Sequence, residues 1–294
     1  MRPTTELPPI SFPIPTTSAE LYGSGPSAAG WSAISEYLTC PEKARLRILG
    51  VRRIKRYADD GIPDELSATE FGSLMHAVLA IRIAHSPEIA SDWLANSEIA
   101  KSMHPIDQEK AQTMLRVYEE SYPLEREGFS YVGVETTVIT DLGGGILRSA
   151  RYDKLIRMNR DQALFSLEHK TTSRQGSGSA TSYTPQMLVQ QTIWNKNPAL
   201  VEKYGRMQGV IIDQLVKTQI PKCERLGPNM YSRIAEDRMA ETLRIADDLF
   251  AAIPNLEGKA WPRFFHSCWG KYGACEFTGL CIDNVVGDYE QVER

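Results

Sequence analysis

Long apolar runs are missing from this 294-residue chain, so no segment reads as able to cross a bilayer. Its first residues, MRPTTELPPISFPIPTT, lack the basic start and apolar centre of a secretory signal. Together these absences predict a cytoplasmic protein without a membrane partner. A glycine-rich P-loop pattern is also missing, which argues against an encoded ATPase motor. There is no internal repeat. Nor is there an excess of positive charge: 33 Lys and Arg stand against 37 Asp and Glu, a formal net charge of −4. Any nucleic-acid surface must therefore be local. Cysteine is scarce, with five in all, yet Cys268, Cys275 and Cys281 fall within fourteen residues. In a reducing compartment such a cluster points to a metal or iron–sulfur centre before disulfides. A tetrahedral thiolate site needs a fourth ligand, for which Cys40 is the first candidate and Cys223 or His266 the next. The alternative is three separate buried thiols.

What is present suffices for a large core: 42% hydrophobic and 24% charged residues, as in an ordinary globular protein. Residues 1–30, rich in Pro, Ser, Thr and Gly, read as a flexible N-terminal arm. Folding is expected from Trp31, with a helix capped by Ser32 or Ser35 and a break or fresh start at Pro41. Residues 43–57 hold Lys43, Arg45, Arg47, Arg52, Arg53, Lys55 and Arg56 without an acid. This run is either a solvated face or a phosphate-tracking surface. Helices follow across 66–125, the first carrying His76 among apolar residues at helical spacing. Strands alternate from 131 onward, a small-residue loop follows Lys170, and a helix carries Gln186 and Gln190. A buried strand precedes residue 216, and an amphipathic helix is expected over 229–253.

The stretch Tyr152–Lys170 reads as a hairpin: YDKLIRM, the polar turn NRDQ, then ALFSLEHK. Asp153 lies in its first arm. Glu168 and Lys170, two apart in the second arm, share a face, and His169 takes the other. Two carboxylates and a lysine converging on a sheet suit a divalent metal and a phosphate-centred transition state. A solvated charge ladder has the same pattern. Glu135, in the preceding strand, is either an outward polar position or a further acid of the cluster.

The ordered set of motifs resembles the PD-(D/E)XK nuclease superfamily, in its RecB-like branch of iron–sulfur exonucleases related to CRISPR-associated and phage-encoded enzymes. The resemblance runs over residues 31–283. Trp31–Pro41 resembles an opening helix ending in a Cys-Pro step, and Phe71–His76 resembles a Gly preceding a metal-binding His. Tyr152-Asp153 matches the core aspartate, and Glu168-His169-Lys170 matches the (D/E)-x-K element. Tyr183–Gln186 resembles the Gln-bearing helix, whose usual aromatic four residues on is replaced here by Gln190. Cys268 and Cys275 stand farther apart than in many members.

The resemblance implies an α/β fold with a restriction-endonuclease-like core, a central mixed sheet flanked by helices, and a helical insertion. One nuclease domain would span 31–283, with helices at 66–125, a catalytic sheet at 131–216, a helix and cysteine-rich tail at 229–283, and a short tail at 284–294. It implies that His76, Asp153, Glu168 and the His169 carbonyl bind Mn²⁺ or Mg²⁺. Lys170 would act on the water and phosphate, Gln186 would position the site, and Glu135 would hydrogen-bond around it. Cys40, Cys268, Cys275 and Cys281 would hold a 4Fe–4S cluster, with zinc as the other occupant. The expected substrate is DNA, as single strands or duplex ends, in recombination, repair or phage DNA processing within the host cytoplasm. Recombination or replication proteins would be partners, and oligomers occur among relatives. A non-cleaving DNA-binding accessory protein, or a structural subunit of a larger helicase–nuclease machine, are the competing readings.

Overall fold

A computed structural model describes residues 2–22, 30–53, 65–123, 125–172, 184–218, 220–247, 261, 263, 268–270, 273–282, 286, 287 and 289–291. In chain order its elements begin with α1 (Ser18–Tyr22), α2 (Trp31–Thr39), α3 (Pro41–Ile48) and β1 (Val51–Arg53). There follow α4 (Ala68–Ala84), α5 (Pro87–Asn96), α6 (Glu98–Lys101), α7 (Pro105–Ser121) and α8 (Glu125–Gly128). The sheet region comprises β2 (Phe129–Asp141), β3 (Leu147–Met158), β4 (Leu164–Thr172), α9 (Thr184–Asn195), α10 (Pro198–Tyr204), β5 (Met207–Val216), β6 (Lys222–Asn229) and α11 (Arg233–Ile245).

β2 to β6 form one mixed sheet in the order β2-β3-β4-β5-β6. β2, β3 and β4 make the expected antiparallel meander, β5 runs parallel to β4, and β6 returns antiparallel. The β4–β5 crossover contains α9 and α10, as a parallel connection requires. β6 was not expected. Its sequence KCERLGPN carries charge and a Gly-Pro step, and its residues are half-exposed or exposed, so it has neither clean alternation nor an apolar run. Such a strand is tolerated at a sheet edge, where Pro costs no ladder bond on the open side.

Helices cover both faces. α4, α5 and α7 build one core, with Phe71, Leu74, Met75, Val78, Trp93, Leu94, Met114 and Tyr118 buried together. α9 and α11 build the other, with Tyr152, Leu155, Ile193, Trp194 and Leu243. Hence β3 and β4 are buried along nearly their whole length, where a half-exposed sheet would alternate. α4 is buried on almost every side from Phe71 to Ile83, and each large apolar side chain there contributes roughly 1.5–3 kcal/mol. Its start is fixed by a capping box in which Ser67 and Glu70 satisfy each other's backbone N–H.

At the N-terminal side, α2 begins at Trp31 with Gly30 as its cap, and no serine side chain caps it. Ser35 Oγ instead donates to Ser32 O. Pro41 does open a fresh helix, α3, at its first turn. The arm at 2–17 lies against the core: Leu7 is buried, Thr4 N donates to Ile139 O, and Trp93 Nε1 donates to Pro15 O. α11 is described to Ile245, and residues 248–260 lie outside the described residues, as does the loop at 173–183. Among the described residues, no helix is long and apolar enough to cross a membrane.

Candidate active site

The site forms where two strands part. β3 and β4 pair from Arg157/Leu164 to Lys154/Leu167 and no farther. Beyond that point side chains take over the ladder's bonds. Asp153 N donates to Glu168 Oε1 at 3.2 Å, and His169 N donates to Asp153 Oδ2 at 2.7 Å. Ser166 Oγ also donates to Glu168 Oε1, at 2.9 Å. Both carboxylates are buried, and these donors fix their rotation.

α4 brings His76 to this gap. Its Nδ1 lies 3.2 Å from Asp153 Oδ1 and 3.7 Å from Glu135 Oε1. The helix approaches closely because Gly72 has no side chain: a Cβ there would stand 3.2 Å from Thr171 Oγ1. Glu135 occupies the β2 position between the pairs Val134↔Lys154 and Thr136↔Tyr152, opposite Asp153. Its φ is 43°, in the left-handed region, at a cost on the order of 1–3 kcal/mol. Its other oxygen lies 3.4 Å from Arg151 Nε. The strained acid thus joins the cluster, and the outward-facing alternative is set aside.

His169 does more than alternation suggested. Its ring points to the α4/α7 face, as expected, but there it lies edge-on to His76 at 5.9 Å and to Tyr118 at 5.8 Å. Donor atoms of His76, Asp153 and His169 all fall within 4.8 Å of one another. Ligands about 2.1 Å from one octahedral ion stand roughly 3–4.2 Å apart, so this trio fits a divalent cation with little movement. Among the described residues, the buried His76 Nδ1 makes no hydrogen bond of good geometry, although Asp153 Oδ1 stands 3.2 Å from it. Glu168 sits beside the trio rather than within it.

The electrostatics separate the two acids. Burial pushes Asp153 upward, but the neighbouring His76, and then Lys170 and His169, outweigh it and hold the carboxyl well below the usual range. Burial, reinforced by Asp153's charge, pushes Glu168 up to about 7, against the opposing pull of Lys170. Burial draws His76 down, but Asp153 and Glu135 more than offset it and raise the imidazole to about 10. Such divergence of adjacent groups is typical of a reactive site.

Gln190, one turn beyond Gln186 on α9, lies near enough to Glu168 to oppose the rise of its pKa. Gln190 is buried, its Nε2 donates to Arg151 O at 3.0 Å, and its Oε1 has no partner among the described residues. Gln186 is half-buried at the start of α9. The sequence reading gave the positioning role to Gln186 alone, whereas the residue buried beside Glu168 is Gln190.

The cysteines gather elsewhere. Burial, then Cys275 and Cys40, raises the Cys268 thiol. Burial also raises Cys281, with Arg263 opposing and Glu42, Cys275 and Cys40 adding. Cys275 N donates to Cys268 O at 2.7 Å. As a donor set, four thiols suit iron–sulfur or zinc. Among the described residues, no three of them close to within 4.8 Å. Cys223 lies on β6, where burial, followed by Asp213, pushes it up to about 12. His266 lies outside the described residues.

In the basic run, Arg45 forks onto Glu42 at 2.7 and 2.8 Å, and Arg47 pairs with Glu36 and Glu276. Lys43 is half-buried. Arg52 and Arg53 lie in β1, which pairs with the strand Tyr289–Gln291. Lys55 and Arg56 lie outside the described residues.

A family model described as the PD-(D/E)XK nuclease superfamily matches residues 30–282. No curated protein sequence matches the chain. Among solved structures, it is similar to a candidate exonuclease from Eubacterium rectale, at 13% identity over 96% of each chain with a TM-score of 0.50. At that identity the likeness concerns the fold alone. It is also similar to SSO0001, at 13% identity over 85% of this chain and 96% of that one, with a TM-score of 0.32, and nothing rests on that second likeness. The family match runs from the start of α2 to the end of the short helix Thr278–Ile282 and takes in every residue around the parted strands, so the chain belongs to the PD-(D/E)XK nuclease superfamily.

Proposed function

We propose that this nuclease is a divalent-metal-dependent deoxyribonuclease, with exonuclease action on single strands or duplex ends. The observation that carries this reading is the meeting of His76, Asp153, Glu168 and Lys170 where β3 and β4 separate. His76 and Asp153 would hold the ion together with Glu168 and His169. An imidazole among carboxylates tilts the choice toward Mn²⁺ over Mg²⁺. The ion, when bound, polarises the scissile phosphate and lowers the pKa of a water. Lys170 places a positive charge that acts on both Asp153 and Glu168, where it can offset charge developing on the phosphate. Ser166 Oγ donates to the Glu168 carboxylate, and the nearby Gln190 amide favours its charged form. Glu135 stands 3.7 Å from the same His76 Nδ1 that faces Asp153, and would add a second carboxylate beside that nitrogen.

Arg45 and Arg47 are used in ion pairs, so phosphate tracking by the basic run would fall to its other members. We assign Cys40, Cys268, Cys275 and Cys281 to a 4Fe–4S cluster with a structural task, and no step of the reaction runs through it. Anaerobically purified protein should be brown and contain iron, and colourless protein containing zinc would reject that cofactor. End-labelled single- and double-stranded DNA, incubated with Mg²⁺ or Mn²⁺, should be shortened from its ends. Binding without cleavage under every metal would instead favour a non-cleaving accessory protein. Action in recombination, repair or phage DNA processing accords with this activity.

A further inference from the structure

Behind the parted strands, on the α4/α7 face, lies a chain of buried polar groups that the proposed reaction leaves unused. Lys154 is adjacent to Asp153, points to the opposite face, and is fully buried. Its Nζ donates to Tyr118 Oη at 2.8 Å, and Tyr118 Oη donates to Asp213 Oδ2 at 2.8 Å. Asp213, also fully buried, is gripped by the Arg225 guanidinium at 2.6 and 2.7 Å. Strand register explains the meeting: Lys154 faces Leu167, and His169 faces Asp213. The Tyr118 ring is bracketed by two cations, with Arg82 at 5.3 Å and Lys154 at 5.0 Å from its centroid.

Burying a lysine and an aspartate is costly, and apolar residues of similar volume would serve stability as well or better. What this network does hold in place is the ring that touches Tyr118. His169 is 2% exposed, its imidazole is set edge-on to Tyr118 at 5.8 Å, and its Nδ1 stands 3.8 Å from Asp153 Oδ2. A ring fixed from behind in this way faces the same ion as His76.

We propose that the His169 imidazole is a second nitrogen ligand of the active-site metal, and that Tyr118 and Lys154 are positioning residues which aim it. This rests on the metal-dependent reading above and adds to it. The resemblance implied only the backbone carbonyl of His169 as a ligand, and this inference concerns its ring. Two imidazoles beside a carboxylate suit a borderline ion such as Mn²⁺ better than Mg²⁺, which prefers oxygen.

The test is pulsed electron paramagnetic resonance of the full chain loaded with Mn²⁺, which detects nitrogen nuclei bound directly to the ion. Wild type should show two imidazole nitrogens, and His76→Gln and His169→Gln should each show one. His169→Gln keeps the backbone carbonyl and N–H, so it isolates the ring. Lys154→Met should weaken Mn²⁺ binding about 10-fold or more while both nitrogens remain. A wild-type spectrum with one nitrogen, in protein that still cuts DNA, would overturn the inference and leave the nuclease reading standing. That outcome needs no variant to fold. Unchanged Mn²⁺ affinity in Lys154→Met would overturn the positioning role. A wild type that binds no Mn²⁺ and cuts no DNA would overturn both readings.

Discussion

Glu168 is the residue whose environment asks most of it. Its folded pKa is raised to about 7, first by burial and then by Asp153. A carboxyl raised in this way contributes stability below its unfolded value and loses it as pH climbs through about 7. In metal-free protein, Glu168→Gln should therefore raise the melting temperature by roughly 2–5 °C at pH 8 and change it little at pH 4. Thermal melts at the two pH values check this, and an equal shift at both would contradict it. Gln190 makes a second prediction. Its buried amide touches Glu168, so Gln190→Met should cut turnover about 10–100-fold, while Gln186→Met should have a smaller effect, as read from initial cleavage rates. The residue types of the site were legible early, because an acid, then Glu-x-Lys, on alternating strands is a chemical pattern. The split between Gln186 and Gln190 was not, since both sit on one helix a turn apart and only packing against Arg151 tells them apart. The ring of His169 was legible as to face, through alternation, but not as to its neighbours on α4 and α7.

At the scale of elements, the site depends on how close α4 lies to β4. Gly72 sets that distance. Gly72→Val would force helix and strand apart, at about 1–3 kcal/mol in stability, and should weaken Mn²⁺ binding because His76 moves with the helix. Denaturant melts and metal titration check the two parts, and tight metal binding in a destabilised variant would show that α4 does not control the site. The meander β2–β4 was readable because its apolar residues alternate between polar turns. α4 was readable from helical spacing even though it is buried on nearly every side. β6 was hidden because an edge strand needs little apolar content, and its pairing with β5 is a long-range fact absent from local pattern. α2 starts earlier than a Ser32 or Ser35 cap would allow, because Gly30, and not a serine, takes the capping position.

At the scale of the whole molecule, the two ends of the chain are tied to each other. β1 pairs with Tyr289–Gln291, Arg47 reaches Glu276, and Glu42 accepts from Trp261 N at 2.8 Å. Glu42 is buried and also holds Arg45, so its removal takes the fork from that guanidinium and the acceptor from the Trp261 N–H. Glu42→Ala should cost about 2–4 kcal/mol and speed proteolysis within the C-terminal segment. Wild-type cleavage rates in the variant would contradict this. The scarcity of cysteine elsewhere is what made the tail stand out in the sequence. Local pattern left the fourth ligand open among Cys40, Cys223 and His266; Cys40 sits between α2 and α3, and Cys223 lies on β6 beside Asp213.

The central claim is that metal-supported phosphodiester cleavage occurs where β3 and β4 part. Its most direct measurement is the rate at which end-labelled DNA is cut with Mn²⁺ by wild type, Asp153→Asn and Lys170→Met, each shown to be folded by circular dichroism. The account predicts cleavage by wild type and a loss of at least about 10²-fold in both variants. Equal cleavage by all three, or none by wild type with any divalent metal, would contradict it.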